Sequence, residues 1–177
     1  MPKLSLIAIP LVQLKPLITL AFQDDDELLR RYTPVKDDTL ENCVNRCHDT
    51  IVDMFTSKVY AESERRIYKV EFDDEGVKKI IGYTVVAINT DAPNELFSFG
   101  INCHYRSKQI VLKWLKEVQF RLGKFFWIAL YKENERAINF FVKNGFTKQA
   151  EEDKSFVMLL GNHQEYIATI KHKSICQ

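Results

Sequence analysis

Hydrophobic and polar positions along this chain follow two distinct periods, and the changes of period mark its elements. The three-to-four-residue period is clearest at 39–55. There Leu40, Cys43, Val44, Cys47, Ile51, Val52 and Phe55 form one apolar stripe and predict a helix. Asp38, three residues before Glu41, has the form of a capping box for its start, with Asp in the place of Ser or Thr. The period then drops to two. Tyr68, Val70 and Phe72 alternate with Lys69 and Glu71, which predicts a half-buried strand over 66–72. The turn Asp73-Asp74-Glu75-Gly76 leads to a second strand at 79–89. After Asp91-Ala92-Pro93-Asn94 comes a third, at about 95–103.

The second half alternates between the two periods. Ile110, Val111, Trp114, Leu115, Val118 and Leu122 define the buried face of a helix over 107–122, with Lys108, Lys113, Lys116 and Glu117 on its solvated side and Gly123 as its stop. The run 125–131 reads as a fully buried strand, and a helix over 134–144 follows it. Strands are expected at 146–150, 154–160 and 164–172, the last two joined around Gly161-Asn162. The apolar stretch 1–22 is interrupted by Pro10, Gln13, Lys15 and Pro16, which leaves no run near the ~20 residues of a membrane span. An acidic cluster at 24–27 follows it rather than a small-residue cleavage pattern, so it reads as one or two strands of a soluble domain. Strand, helix, strand and helix in succession imply a mixed α/β layer fold. With no repeat or linker, one domain over 1–177 is expected.

Composition narrows the function. Hydrophobic content of 46% and charged content of 28% are ordinary for a globular protein. A net charge of +1, with no interleaved basic-aromatic tract, gives no reason to expect nucleic acid or an anionic membrane as partner. Cys43, Cys47, Cys103 and Cys176 form no CxxC pair and no secreted disulfide framework, so a reducing cytoplasm is the expected compartment. Cys43, Cys47 and His48 have the look of a metal half-site. Both thiols fall on the apolar face of the first helix, however, and core packing is the better reading; no metal is expected.

The segment 130–146, LYKENERAINFFVKNGF, carries the most information. Asn134 suits an N-cap, since its side-chain oxygen can accept an orphan amide of the first turn. Ala137, Ile138, Phe140 and Phe141 give a close-packed inner face. Gly145 stands where a left-handed residue ends a helix, and Phe146 is then placed to pack on Phe141. This order, directly after an apolar strand, resembles a segment of the GNAT superfamily of N-acetyltransferases. The resemblance covers roughly residues 80 to 160. It implies a GNAT-like mixed α/β fold, a central antiparallel and parallel sheet flanked by helices, with acetyl-coenzyme A as co-substrate.

The resemblance also implies a second motif, in which a strand splays from its neighbour beside the pantetheine arm and a tight turn opens a helix whose first amides bind pyrophosphate. Ile101 and Cys103 match the strand end; Arg106, Ser107, Lys108, Gln109, Ile110 and Val111 match the loop and first turn. With Asn134 and Phe141 from the first motif, these are the expected coenzyme-binding positions. Two departures matter. Gln109 and Val111 occupy positions that are usually small, where Gly allows close backbone approach, and Arg106 and Lys108 offer charge in compensation. Phe141 stands where many members carry a Tyr proposed to protonate the leaving thiolate, and Phe donates no proton.

A general base must reach the acceptor ammonium directly or through water. Glu95, His104 and Tyr131 lie near the expected cleft, but each reads more simply as a solvated or packed side chain. Ser98 and Cys103 lack the His/Asp arrangement of a nucleophile. No catalytic residue is nominated. Three readings stay open: direct acetyl transfer to a small-molecule or peptide amine, a GNAT-fold binding or assembly module without catalysis, and an unrelated α/β protein. An edge strand at 164–172 offers a route to pairing into a homodimer.

Overall fold

The computed structural model describes residues 2–25, 39–123, 125–151 and 155–160. The strand expected at 164–172, the 161–162 turn, Asp38 and Cys176 lie outside them. Eleven longer elements are described: β1 Lys3–Ile9, α1 Leu14–Phe22, α2 Leu40–Thr56, β2 Glu64–Asp74, β3 Val77–Ile88, β4 Asn94–Ile101, α3 Lys108–Leu122, β5 Phe126–Tyr131, α4 Glu135–Lys143, β6 Phe146–Glu151 and β7 Ser155–Leu160. The strands form one sheet in the order β1-β2-β3-β4-β5-β7-β6. Only β4 and β5 pair in parallel; every other described pairing is antiparallel. Among the described residues, no helix is long and apolar enough to cross a membrane.

The N-terminal stretch departs from expectation, being one strand and one helix. Pro10 ends β1. Pro16 falls in the first turn of α1, where a missing N–H leaves no helical bond unmade. Leu14, Leu17, Ile18 and Ala21 are the buried residues of α1, at the i, i+3, i+4, i+7 spacing of a helix face. The cap of α2 also differs. Thr39, not Asp38, is the N-cap, its Oγ1 accepting from the Asn42 amide at 3.2 Å, and Glu41 sits in the first turn. Nor is β5 buried on both faces. Phe126, Ile128 and Leu130 are buried, but Trp127 is half-buried and Ala129 and Tyr131 are exposed, because among the described residues helices cover only one side of this part of the sheet.

Two cores flank the sheet. On one face α3 and α4 bring Trp114, Leu115, Val118, Ile138 and Phe141 against Val86, Leu96, Phe126 and Ile128. On the other, α1 and α2 bring Leu14, Ile18, Val44, Ile51 and Met54 against Ile67, Tyr83 and Val85. The Asn134 cap holds as expected, its Oδ1 accepting from the Ala137 amide at 3.2 Å, and Ser107 Oγ caps α3 by accepting from the Ile110 amide at 3.3 Å. Gly145, at φ +92°, stops α4, and Phe146 packs edge-on to Phe141 with centroids 4.8 Å apart.

A buried polar contact anchors α3 to the sheet. The Trp114 indole Nε1 donates to Thr84 Oγ1 at 2.9 Å, with both residues fully buried. Thr84→Val keeps the volume and leaves the indole N–H without an acceptor, so it should lower stability by about 1–3 kcal/mol. Chemical denaturation checks this: the midpoint should fall while the slope stays constant.

Candidate functional site

The site begins where the sheet splits. β4 and β5 pair only through Asn94 with Phe126 and Glu95 with Trp127. Beyond that point β5 is held on its far side by β7 as far as Tyr131, while β4 runs on to Ile101 along β3. Among the described residues, no strand occupies the β5-facing edge of β4 past Glu95. A bulge lies at the same place: Val86 pairs with Leu96 and Val85 with Ser98, so Phe97 is the extra residue. Bulges bend a strand and raise its twist, which turns β4 away from β5 where they part.

Short-range clasps fix both ends of the open strand. At its start, Asn94 Nδ2 donates to the Leu122 carbonyl at 2.8 Å and Asn94 Oδ1 accepts from the Asn89 amide at 2.8 Å, tying β4 to the end of α3. At its far end, the buried Asn102 donates from its backbone to Ile81 O and from Nδ2 to Leu20 O, each at 2.8 Å. A Cβ at Gly82 would lie 2.0 Å from Gly100 O, and one at Gly100 would lie 2.7 Å from Ala21 Cβ. The two glycines therefore let β3, β4 and α1 close together here.

A cavity of about 340 Å³ opens beside this stretch, between the N-termini of α3 and α4. Of the expected coenzyme-binding positions, Ile101, Arg106, Lys108, Val111, Asn134 and Phe141 line it. Cys103, Ser107, Gln109 and Ile110 do not. Ser107 caps α3, and the Cys103 thiol lies 3.4 Å from the Asp24 carbonyl at the end of α1. Gln109 is exposed and does not line the cavity, whereas Val111 does. Arg106 also serves the fold. Its Nε donates to Ile101 O at 2.6 Å, and its guanidinium also meets the Asp25 carboxylate and the Ala21 carbonyl, joining α1 to β4. Lys108 and Arg136 supply positive charge at the two helix starts that line the cavity, and neither has an acidic partner among the described residues. The Lys108 and Gln109 amides meet no acceptor there either, so the start of α3 presents open donors.

The three base candidates separate sharply. His104 is exposed at its side chain and pairs with Asp24 at 3.5 Å. Tyr131 is 53% exposed. Glu95 is only 4% exposed, at the crotch of the split, between Ala87 and Trp127 in the sheet register. Burial pushes its carboxyl up to about 7, and the Tyr60 hydroxyl, bonded to it, pulls it part of the way back. Tyr60 is in turn raised, by its own burial first and then by the Glu95 charge. The Tyr83 hydroxyl also lies on this face, 3.2 Å from Ser98 Oγ and 3.3 Å from Cys47 Sγ. Burial raises the Cys47 thiol, which makes it a packing group rather than a nucleophile. Among the described residues, no cluster of three metal-ligating side chains occurs.

This fold is shared with acetyltransferases of known structure. An acetyltransferase from Thermus thermophilus is similar at 16% identity and a TM-score of 0.63, over 90% of this chain and 96% of the other. The PaiA N-acetyltransferase of Thermoplasma acidophilum, solved in complex with coenzyme A, is similar at 15% identity and a TM-score of 0.65, over 90% of this chain and 99% of that one. A probable acetyltransferase of the GNAT family from Chromobacterium violaceum matches at 14% identity and a TM-score of 0.57, over 89% and 81%. No protein-family model matches the chain, and no curated protein matches it in sequence. The chain has the fold of the GNAT acetyltransferases.

Sequence reasoning missed Arg136 and Phe22 as cavity walls and passed over Glu95 as a site residue. The Glu95 carboxyl gives a prediction with a definite sign. Its folded-state value of about 7 stands above the 4.5 of an exposed Glu, so the native state holds the proton more tightly. Stability from this group is complete below pH 4.5 and is lost as the pH rises through 7. Glu95→Gln removes that loss. It should be more stable than the parent by about 1–3 kcal/mol at pH 8 and nearly equal to it at pH 4.5, by denaturation at each pH.

Proposed function

We propose that the chain is an N-acetyltransferase that moves acetyl from acetyl-coenzyme A directly to a primary amine. The observation that carries this reading is the split between β4 and β5, with a cavity beside it whose rim is two helix N-termini. The residues present suit the coenzyme. Open Lys108 and Gln109 amides, the field of α3, and the Lys108 and Arg136 charges suit a diphosphate and a further phosphate. The free edge of β4 from Glu95 to Ile101, about 20 Å of strand, offers backbone donors and acceptors to an extended amide-bearing arm. The altered loop does not close the site, because Gln109 lies outside it and Val111 only narrows it.

The co-substrate supplies the activated acetyl group as a thioester. The protein positions the amine, takes its proton and polarises the carbonyl. Glu95 is the group suited to the proton. Its carboxyl is raised to about 7, close to the operating pH, and it sits at the closed end of the split. Backbone amides of β4 at the Phe97 bulge are the donors available to the carbonyl oxygen. Phe141 packs at the cavity wall without a proton to give, so the departing sulfur takes its proton from solvent.

Calorimetric titration with acetyl-coenzyme A tests the reading directly. Binding is expected; no binding at millimolar ligand would sink it. Lys108→Ala should weaken binding about tenfold, the value of one charge-assisted contact, whereas Val111→Gly should bind at least as well as the parent. In a thiol-release assay, kcat should rise with pH through about 7 as Glu95 loses its proton. Glu95→Gln should remove that rise and lower kcat about 10²–10⁴-fold.

A further inference from the structure

The sheet register places a single carboxylate at the foot of an aromatic stripe. Glu95 is the cross-strand neighbour of Trp127. On β5, Phe126, Ile128 and Leu130 point into the α3–α4 core, so Trp127, Ala129 and Tyr131 share the opposite face, the one on which Glu95 and Phe97 lie. α1 and α2 cover this face over β2 to β4. Over β5 no described helix covers it: Ala129 and Tyr131 are exposed and Trp127 is half-buried. Beside Glu95, Tyr60 meets Phe97 edge-on with centroids 5.9 Å apart, closing the other side of the carboxylate with rings. The result is one anionic group walled by aromatic rings, leading onto an exposed strip whose middle residue is small.

We infer that the acceptor is a primary amine carried on a flat apolar group, its ammonium directed to Glu95 and its apolar body lying along Trp127, Ala129 and Tyr131. This rests on the acetyltransferase reading above. The charge pattern favours one cation over several: the register partners of Glu95 on this face, Ala87 and Trp127, carry no charge, and neither do Ala129 and Tyr131 along the stripe. A polyamine would bring its second ammonium onto these uncharged residues, and Lys132 beyond them is already paired with Glu151 at 2.6 Å. Aromatic walls attract an ammonium through their ring faces and also bury a planar body. Ala129 supplies the gap such a body needs between two large rings.

The test compares 2-phenylethylamine, n-propylamine and spermidine as acceptors for the full chain, by thiol release, with acetyl-coenzyme A binding measured separately by calorimetry. The expected result is a kcat/KM for 2-phenylethylamine at least tenfold above both others. Ala129→Arg fills the gap with bulk and positive charge at an exposed position, and should raise the KM for 2-phenylethylamine at least tenfold while leaving coenzyme affinity unchanged. Trp127→Leu keeps an apolar surface without the ring and should reduce the preference for 2-phenylethylamine over n-propylamine. Equal or better use of spermidine or n-propylamine overturns the inference, and so does an unchanged KM in both variants. Coenzyme binding with no transfer to any of the three amines overturns the inference alone. Loss of coenzyme binding in the parent protein overturns the acetyltransferase reading with it.

Discussion

Everything in this molecule that resembles a site depends on β4 leaving β5 after two residue pairs. A parallel pair that stops so early leaves a row of backbone donors and acceptors along one edge of an interior strand. Each such group, if buried without a partner, costs about 1–3 kcal/mol. The strand must therefore be held apart by other contacts, and these are the contacts of Asn94, Asn102 and Arg106. All three join a side chain to a backbone carbonyl of another element, so they fix position without filling the gap. The Phe97 bulge supplies the bend, and the close approach of Gly82 to Gly100 lets α1 reinforce the open strand from behind. A cleft of this kind is a strained choice for a sheet unless a ligand completes its hydrogen bonding.

Glu95 shows the same exchange of stability for function in one side chain. A carboxyl 4% exposed between Ala87 and Trp127 is a poor place for a negative charge, and the upward shift to about 7 expresses that penalty. A single hydroxyl, from Tyr60, offsets it in part. A core position selected for stability alone would carry an apolar residue there. Burial, the hydroxyl partner and the position at the closed end of the split together suit the carboxylate to the proposed role of proton acceptor near neutrality.

What was legible in the sequence was local. The α3 and α4 stripes, the Asn134 cap and the Gly145-Phe146 stop each depend on residues within one or two turns, and the structure reproduces them. α1 was obscured because Pro10 and Pro16 read as breaks in an extended run, although one ends β1 and the other sits harmlessly in the first turn of the helix. The exposure of β5 was obscured because an unbroken apolar run, 125–131, carries no sign of which face a helix will cover. The contacts of Arg106 with Asp25 and the Ala21 carbonyl were not legible, because only the fold brings these groups to it. Glu95 was the hardest to read. Its hydroxyl partner, Tyr60, stands ahead of β2 and its register partner, Trp127, lies on β5, and local spacing connects neither to it.

Phe141 ties the two halves of the site together. Its ring is 1% exposed and meets Phe99, Trp114, Phe140 and Phe146 edge-on, at centroid separations from 4.8 to 6.5 Å. A phenol placed in that cluster would need a hydrogen-bond partner among rings that offer none, unless its hydroxyl reached the cavity itself. The chain thus has a well-packed aromatic floor in place of a proton donor. That arrangement moves the demand for proton control to the opposite face of the sheet, where Glu95 and Tyr60 stand. Under the proposed activity, such a site relies on removing the proton from its amine more than on delivering one to its leaving group, and the raised carboxyl of Glu95 is the feature that makes this division workable.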